Sequence, residues 1–318
     1  MSRYDRQTRL PGVGADGQAR IGAARVLVIG AGGLGSTVLP LLAGAGAGHL
    51  RIIDPDVVEE SNLHRQTLYR MADLGRPKAE AAAESLAALN PGCTASALAA
   101  RLDPALARDE LEAADLVVDA ADSFAVTYAL SDLCHRRGLP LVSASVTGWR
   151  GYAGGFCGGA PSYRAVFPDL PPRAGSCAET GVMGPAVAAL AAIQAQMALS
   201  LLLGHAPSPL GQLMTMDLQS WQVSGFRFDG APEPEAPGPA ILAPADLGPG
   251  DLVIELRDAA EAPVLPVPGA RRCLPGEIDG ITPAPGQRVV FACATGLRAW
   301  RAARAFGARS EVPAAILG

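Results

Sequence analysis

Histidine and aromatic residues are scarce in this chain. Four histidines and 5% aromatic residues are spread over 318 positions, with no obvious Ser-His-Asp set for a hydrolytic nucleophile. The six cysteines include no Cys-x-x-Cys pair. That excludes a dense disulfide framework and fits reduced thiols in a cytoplasmic protein. The net charge of −5 is dispersed, with no Lys/Arg block, so neither nucleic acid nor an anionic membrane surface is an expected partner. After Met1 the residues Ser-Arg-Tyr-Asp-Arg-Gln have no apolar core, so no secretory signal is expected. The long apolar run Ala186 to Leu203 contains Gln194 and Gln196 and has no flanking aromatic belt. It reads as a buried helix, and no membrane span is expected.

What is present starts at Val26. The apolar run Val26-Leu27-Val28-Ile29 enters a glycine cluster at Gly30, Gly32, Gly33 and Gly35, and a second strand ends on Asp54. Strand, turn, helix, strand is the context a dinucleotide fingerprint requires. In it Gly30 permits a tight turn, Gly32 lets the backbone approach phosphate, and Gly35 lets the helix pack against the sheet. The helix N-terminus offers N–H groups to an anion. Asp54, nineteen residues past Gly35, is placed to accept hydrogen bonds from a ribose. A nucleotide is expected here, and the glycines alone leave NAD and ATP both open.

The alternation continues. A helix is expected from Pro77 to about Leu89, stopped by Asn90-Pro91-Gly92, and a strand over 94–100. Helix over 104–113, strand Leu116 to Asp119, helix 124–137 and strand Leu139 to Ser145 follow. The pattern predicts an α/β fold with a Rossmann-like, mostly parallel sheet. From Gly148 the texture changes to a strand at Gly151 to Cys157 and a long Gly/Pro-rich loop over 158–181 holding Arg173, Ser176 and Cys177. Leu213 to Asp217 and Gln222 to Phe228 then suggest an antiparallel extension. The expected organisation is a domain over 1–228, a Pro-rich linker over 229–240 and a small α/β domain over 241–318. In the small domain the strands are Leu252 to Leu256 and Arg288 to Ala292, with a helix from about Leu297 to Phe306.

Cations separate the nucleotide readings. A triphosphate needs positive charge beside the ribose pocket, and Arg65 and Lys78 lie 11 and 24 residues after Asp54. Asp122 sits at the carboxyl end of a strand, where open parallel sheets bind ligands. A carboxylate there can hold Mg²⁺, with water completing the shell.

At these residues the chain resembles the ThiF/MoeB/HesA family, bacterial relatives of ubiquitin-activating enzymes. RYDRQ, GAGGLG, DPDVVEESNLHRQ, GRPKAE, DAADS and SCAETGVMGP follow in the family's order across about residues 3–228. The resemblance implies ATP- and Mg²⁺-dependent adenylylation of the C-terminal Gly-Gly carboxylate of a small ubiquitin-like sulfur-carrier protein. It also implies a homodimer, in which Arg6 reaches the triphosphate across the interface. Asp54 matches the ribose ligand, and Asn62, Arg65 and Lys78 match phosphate-binding residues. Gly33 is placed against the nucleotide, and Asp56, Ser61, Leu63, His64, Gln66 and Ser123 complete the nucleotide-binding set. Asp122 matches the aspartate that supports Mg²⁺ and catalysis. Cys177 matches a loop cysteine that in some members takes part in sulfur transfer or links covalently to the carrier.

One departure concerns metal. The family usually carries two Cys-x-x-Cys pairs for a structural zinc. Here the first site reads Pro161-Ser162-Tyr163-Arg164-Ala165-Val166-Phe167-Pro168, and no cysteine follows Phe228 in the linker. Without thiolates at that spacing, no zinc is expected, and the loop would be held by packing alone or be looser. In the small domain, Cys293-Ala294-Thr295-Gly296-Leu297-Arg298 resembles the Cys-x-x-Gly-x-Arg loop of rhodanese sulfurtransferases. Pro268-Gly269-Ala270 is a weaker match, and the usual Asp-x-Arg reads Glu255-Leu256-Arg257. A short, degenerate rhodanese-like domain is expected. A thiolate at Cys293 would be nucleophilic at a helix N-terminus, with a cysteine desulfurase or another sulfur donor as a further partner.

The resulting expectation is a carrier-protein adenylyltransferase serving thiamine or molybdenum cofactor biosynthesis. The alternatives are an activator of a peptide or other acyl acceptor, a scaffold that has lost turnover, and an NAD oxidoreductase.

Overall fold

Val26–Ile29 carries no polar side chain to expose, and it forms part of a strand that is buried from Val26 onward. This strand, β1 (Arg25–Ile29), is the centre of the structure, a computed structural model that describes residues 2–170, 181–236 and 238–318. It pairs in parallel with β2 (His49–Ile53) on one side and β4 (Leu116–Asp119) on the other. β3 (Thr94–Leu98) and β5 (Pro140–Thr147) extend the parallel part. β6 (Arg150–Cys157), β7 (Gln212–Asp217) and β8 (Gln222–Arg227) then add antiparallel strands, giving the order β3-β2-β1-β4-β5-β6-β7-β8. Strand order reverses between β1 and β4, and such a reversal opens a crevice at the carboxyl ends of the strands.

Two helical layers cover the sheet. On one face α3 (Gly35–Ala45), α4 (Lys78–Leu89) and α8 (Gly184–Leu203) share a core that includes Leu39, Leu42, Leu86 and Leu190. α8 is long and apolar enough to cross a membrane by length and composition. In this structure it packs on α3, β5 and β6. Its buried Gln194 donates through Nε2 to the carbonyls of Asp119 (2.6 Å) and Val142 (3.1 Å), tying the helix to the sheet. Ahead of the sheet, α1 (Asp5–Thr8) and α2 (Gly14–Ala23) lie at the far end of α3. Tyr4 packs on Gly46 there, and Gln7 donates to the Ala45 carbonyl at 2.9 Å.

On the opposite face lie α5 (Pro104–Glu110), whose first turn is capped by the Asp103 carboxylate and contains Pro104, and α6 (Phe124–Arg137). A second sheet covers them. Its five parallel strands run β11 (Arg271–Arg272), β10 (Leu252–Glu255), β12 (Val289–Ala292), β13 (Ala314–Leu317) and β9 (Ala240–Leu242). Its helix α9 (Leu297–Gly307) buries Trp300 and Phe306 in the same hydrophobic cluster as Tyr128 and Leu133 of α6. Three of these strands, β9, β11 and β13, have no counterpart in the sequence reading.

The stretch 158–181 holds a short helix, α7 (Tyr163–Val166), where sequence suggested only loop. It is not held by packing alone. The Glu233 carboxylate accepts from the Ser162 amide (2.7 Å) and hydroxyl (2.6 Å), and Arg164 pairs with Asp132 at 2.6 Å. The Arg164 guanidinium also lies over the rings of Tyr128 (4.9 Å) and Trp300 (5.0 Å).

Candidate functional site

The crevice at the strand-order reversal is a cavity of about 360 Å³. Gly30, Gly32 and Gly33 form its floor. Gly35 does not line it and acts in packing, since a Cβ there would sit 2.0 Å from the Gly30 carbonyl oxygen. Only glycine lets α3 begin so close to the turn. Gly33 faces Val187 of α8 and the aliphatic stem of Arg65.

Asp54, Asp56 and Lys78 form one wall. The Asp54 carboxylate is buried and accepts from the amides of Ala31 (2.7 Å) and Asp56 (2.8 Å). Burial raises its pKa, and the two amides and the Lys78 charge work against that rise. Each of its oxygens retains a lone pair for a further donor. Lys78 is the single lysine of the chain. It is only 4% exposed, and its Nζ pairs with the more exposed Asp56 carboxylate at 2.9 Å. A cation so shielded from water strongly favours an anionic partner.

Asn62 organises the next wall. Its Oδ1 accepts from Gln66 Nε2 (3.0 Å) and Arg65 Nη2 (3.4 Å), while its Nδ2 donates to Ser61 Oγ (2.9 Å). Asn62, Arg65 and Gln66 line the cavity. Ser61, Leu63 and His64 do not line it: Ser61 and His64 are exposed supports of Asn62 and Arg65, and Leu63 packs on the core. The Oε1 of buried Gln66 has no hydrogen-bond partner. A polar ligand in the cavity would satisfy it, and a nucleotide carries such donors.

Asp122 and Ser123 line the third wall. Asp122 is exposed, and its carboxylate makes no hydrogen bond or ion pair among the described residues. There is no group of three or more acidic, His or Cys side chains placed to cage a metal among those residues. A single free carboxylate in such a cavity nonetheless fits Mg²⁺, which takes few protein ligands and shares the phosphate oxygens of a bound nucleotide.

The other named residues lie elsewhere. Arg6 is exposed on α1, away from the cavity, and its guanidinium has no partner among the described residues. Cys177 lies outside the described residues. Cys293 follows β12 and accepts from the Ala299 amide through Sγ at 3.4 Å. Arg257 and Arg298 are within electrostatic reach of that sulfur, each paired to a carboxylate, Glu255 and Glu261. Glu255 is fully buried, and its pKa is lowered: burial acts to raise it, and the hydrogen bonds and charge of Arg257 outweigh burial. The Glu-Leu-Arg variant therefore closes on itself as an intact ion pair.

Sequence reasoning missed six contributors. Asp119 is fully buried beneath the third wall, accepting from Thr127 and Ser143 hydroxyls (2.8 Å each), and burial pushes its pKa up to about 6. Tyr69 donates to the Ala31 carbonyl at 2.6 Å and braces the glycine turn. Leu102 and Val126 give the cavity an apolar end, and Ala294 and Thr295 of the second sheet line it as well. Strand ends and apolar periodicity could have nominated Asp119 and Leu102; nothing local signals Thr295.

Residues 4–237 match the sequence model described as the ThiF family. The chain is 39% identical over 219 residues to the SAMP-activating enzyme E1 of Haloferax volcanii, covering 68% of this chain and 81% of that protein. It is 41% identical over 225 residues to the sulfur carrier protein adenylyltransferase of Thermus thermophilus, covering 68% and 83%. Against the adenylyltransferase and sulfurtransferase MOCS3 of Bos taurus the identity is 43% over 218 residues, spanning 48% of that protein. Among solved structures, Escherichia coli MccB superposes with a TM-score of 0.64 at 22% identity, over 75% of each chain.

Proposed function

Because the chain belongs to the ThiF family, we propose that it uses ATP to adenylate the C-terminal Gly-Gly carboxylate of a small ubiquitin-like sulfur-carrier protein. One observation carries the reading: the sole lysine is buried in the glycine-floored cavity, with Arg65 and Asp122 lining the same space. A hydride-transfer site has no need of that cation density. The names of the Thermus and bovine relatives support the same chemistry.

In the reaction, a carrier carboxylate oxygen forms a bond to the α-phosphorus, and the bond from α-phosphorus to the bridging oxygen breaks, releasing pyrophosphate. The nucleophile is already ionised at neutral pH, so no general base is required. The residues position and neutralise. Asp54 holds the ribose, Lys78 exchanges Asp56 for a phosphate oxygen, and Arg65, oriented by Asn62, faces the triphosphate. Mg²⁺ would be held by Asp122, with Ser123 beside it, and would supply further charge neutralisation. Arg6 lies at the end of α3 remote from the cavity, so its part in catalysis requires a second copy of the chain. The setting is cytoplasmic, and a persulfide on Cys293, charged by a cysteine desulfurase or another donor, would attack the carrier acyl-adenylate and expel AMP, an external thiol then reducing the resulting disulfide to release the carrier thiocarboxylate for a thiamine- or molybdopterin-type pathway.

The test is carrier-dependent exchange of labelled pyrophosphate into ATP, run with each Gly-Gly-ended carrier of the same genome. Exchange with one carrier is expected. Failure with all of them would overturn the reading.

A further inference from the structure

We propose that the turn Ala294–Thr295 of the second sheet is a wall of the nucleotide cavity, so that bound nucleotide is felt at Cys293. The inference rests on the adenylation reading for the identity of the nucleotide. Three observations carry it. Ala294 and Thr295 line the cavity together with Leu102, Ser123 and Val126. The turn is fixed there: the Thr295 carbonyl accepts from the Ala125 amide (3.4 Å) and the Ser123 hydroxyl (3.5 Å). The third is the contact next in sequence. Gly296 has φ +83°, and a Cβ there would lie 2.7 Å from Ala125 Cβ, so the two segments meet as closely as glycine permits.

The turn closes the nucleoside end. The glycine floor leads into α3, and Gly33 meets Val187 on the α3/α8 face. Leu102, with Ala125 and Val126, belongs to the opposite hydrophobic cluster, shared with Trp300 and Phe291 of the second sheet. With the phosphates drawn to Lys78 and Arg65 and the ribose to Asp54, the flat base is left for the Leu102–Val126 end. Apolar side chains suit it there. Thr295 is exposed and lines the cavity, and its hydroxyl makes no hydrogen bond among the described residues, so it is free to meet the nucleoside. Cys293 begins the same turn, two residues before Thr295. Filling the cavity therefore braces the backbone that carries the thiol.

The experiment uses the full chain with ATP and AMP as probes. Calorimetric affinities are measured for the unaltered protein, Thr295→Arg and Thr295→Ser. In parallel, the rate of Cys293 alkylation by iodoacetamide is followed by peptide mass spectrometry with and without ATP. The half-buried Cys273 serves as internal control. Thr295→Arg is expected to weaken ATP and AMP alike by about tenfold or more, and Thr295→Ser by less than about threefold. ATP is expected to slow alkylation of Cys293 several-fold and leave Cys273 unchanged. The labelling arm needs no substitution, so it stands even if Thr295→Arg fails to fold. The inference is overturned if the unaltered chain binds ATP yet Cys293 reacts at the same rate with and without it. It is equally overturned if Thr295→Arg binds ATP normally, or loses ATP and keeps AMP. If the unaltered chain binds no ATP at all, the adenylation reading itself falls.

Discussion

A lysine ammonium that is 4% exposed has given up most of its water and holds one carboxylate in return. Asp56, the exposed member of that pair, is the partner a triphosphate would displace. Lys78→Met should therefore raise the KM for ATP by about 10- to 100-fold, the worth of one charge-assisted hydrogen bond. Asp56→Asn, which leaves the ammonium without its carboxylate, should lower it. Steady-state kinetics over an ATP series checks both, and an unchanged KM in Lys78→Met would remove the residue from the site. Lys78 was legible because a cation at that distance from a fingerprint aspartate has a chemical reason to be there. Asp119 was legible only as a strand end, because the hydroxyls that hold its carboxylate come from Ser143, 24 residues on in β5, and from Thr127 in α6. Its pKa stands at about 6 against an ordinary 3.8, so the folded state binds its proton more tightly than the unfolded chain. That contribution favours the fold at low pH and is lost as pH rises from about 4 through about 6, amounting to about 3 kcal/mol. Asp119→Asn should remove this component, so that urea unfolding at pH 4.5 and 7.5 differs less in the variant than in the unaltered chain. Equal pH dependence in the two proteins would mean that Asp119 titrates normally.

At the scale of elements, Ser162 and Glu233 lie in the two segments where the sequence resemblance implies paired cysteines and this chain has none. A carboxylate accepting an amide and a hydroxyl joins them instead. Each such bond is worth about 1.5–3 kcal/mol when its acceptor is charged and shielded, and Glu233 is half-exposed, so solvent reduces the gain. Glu233→Ala should lower the thermal midpoint only slightly while speeding tryptic cleavage within 158–181 several-fold, and a zinc chelator should alter neither protein. Unchanged cleavage would show that Arg164, paired with Asp132 and lying over the rings of Tyr128 and Trp300, suffices alone. Regular elements were readable where their signal is local, as in α4, which starts after Pro77 and ends at Asn90. β9, β11 and β13 have three, two and four residues. β9 and β13 find each other across some seventy residues of chain, a pairing that no short window of sequence contains.

For the whole molecule, the decisive question is where Arg6 acts. Tyr4 donates no hydrogen bond towards the cavity; its hydroxyl accepts from Asn90 (2.8 Å) at the end of α4, and Gln7 is fastened to the end of α3. α3 runs from the cavity to Gly46, so an eleven-residue helix separates Arg6 from the phosphate floor, about 16 Å at helical rise. A guanidinium cannot cross that distance within one chain. If a second copy brings it in, Arg6→Ala should cost about 10³-fold in turnover, as arginine fingers do, while Asp122→Ala disables the site that carries it. Neither variant should then turn over alone. Co-refolded in equal amounts, half of the dimers pair one chain of each kind, and each mixed dimer holds one site with its own Asp122 and the other copy's Arg6. Such a mixture should recover about a quarter of the activity of the unaltered protein. Recovery at that level places Arg6 in the neighbouring copy's site, and a mixture as inactive as its components would confine Arg6 to a structural role at the end of α3.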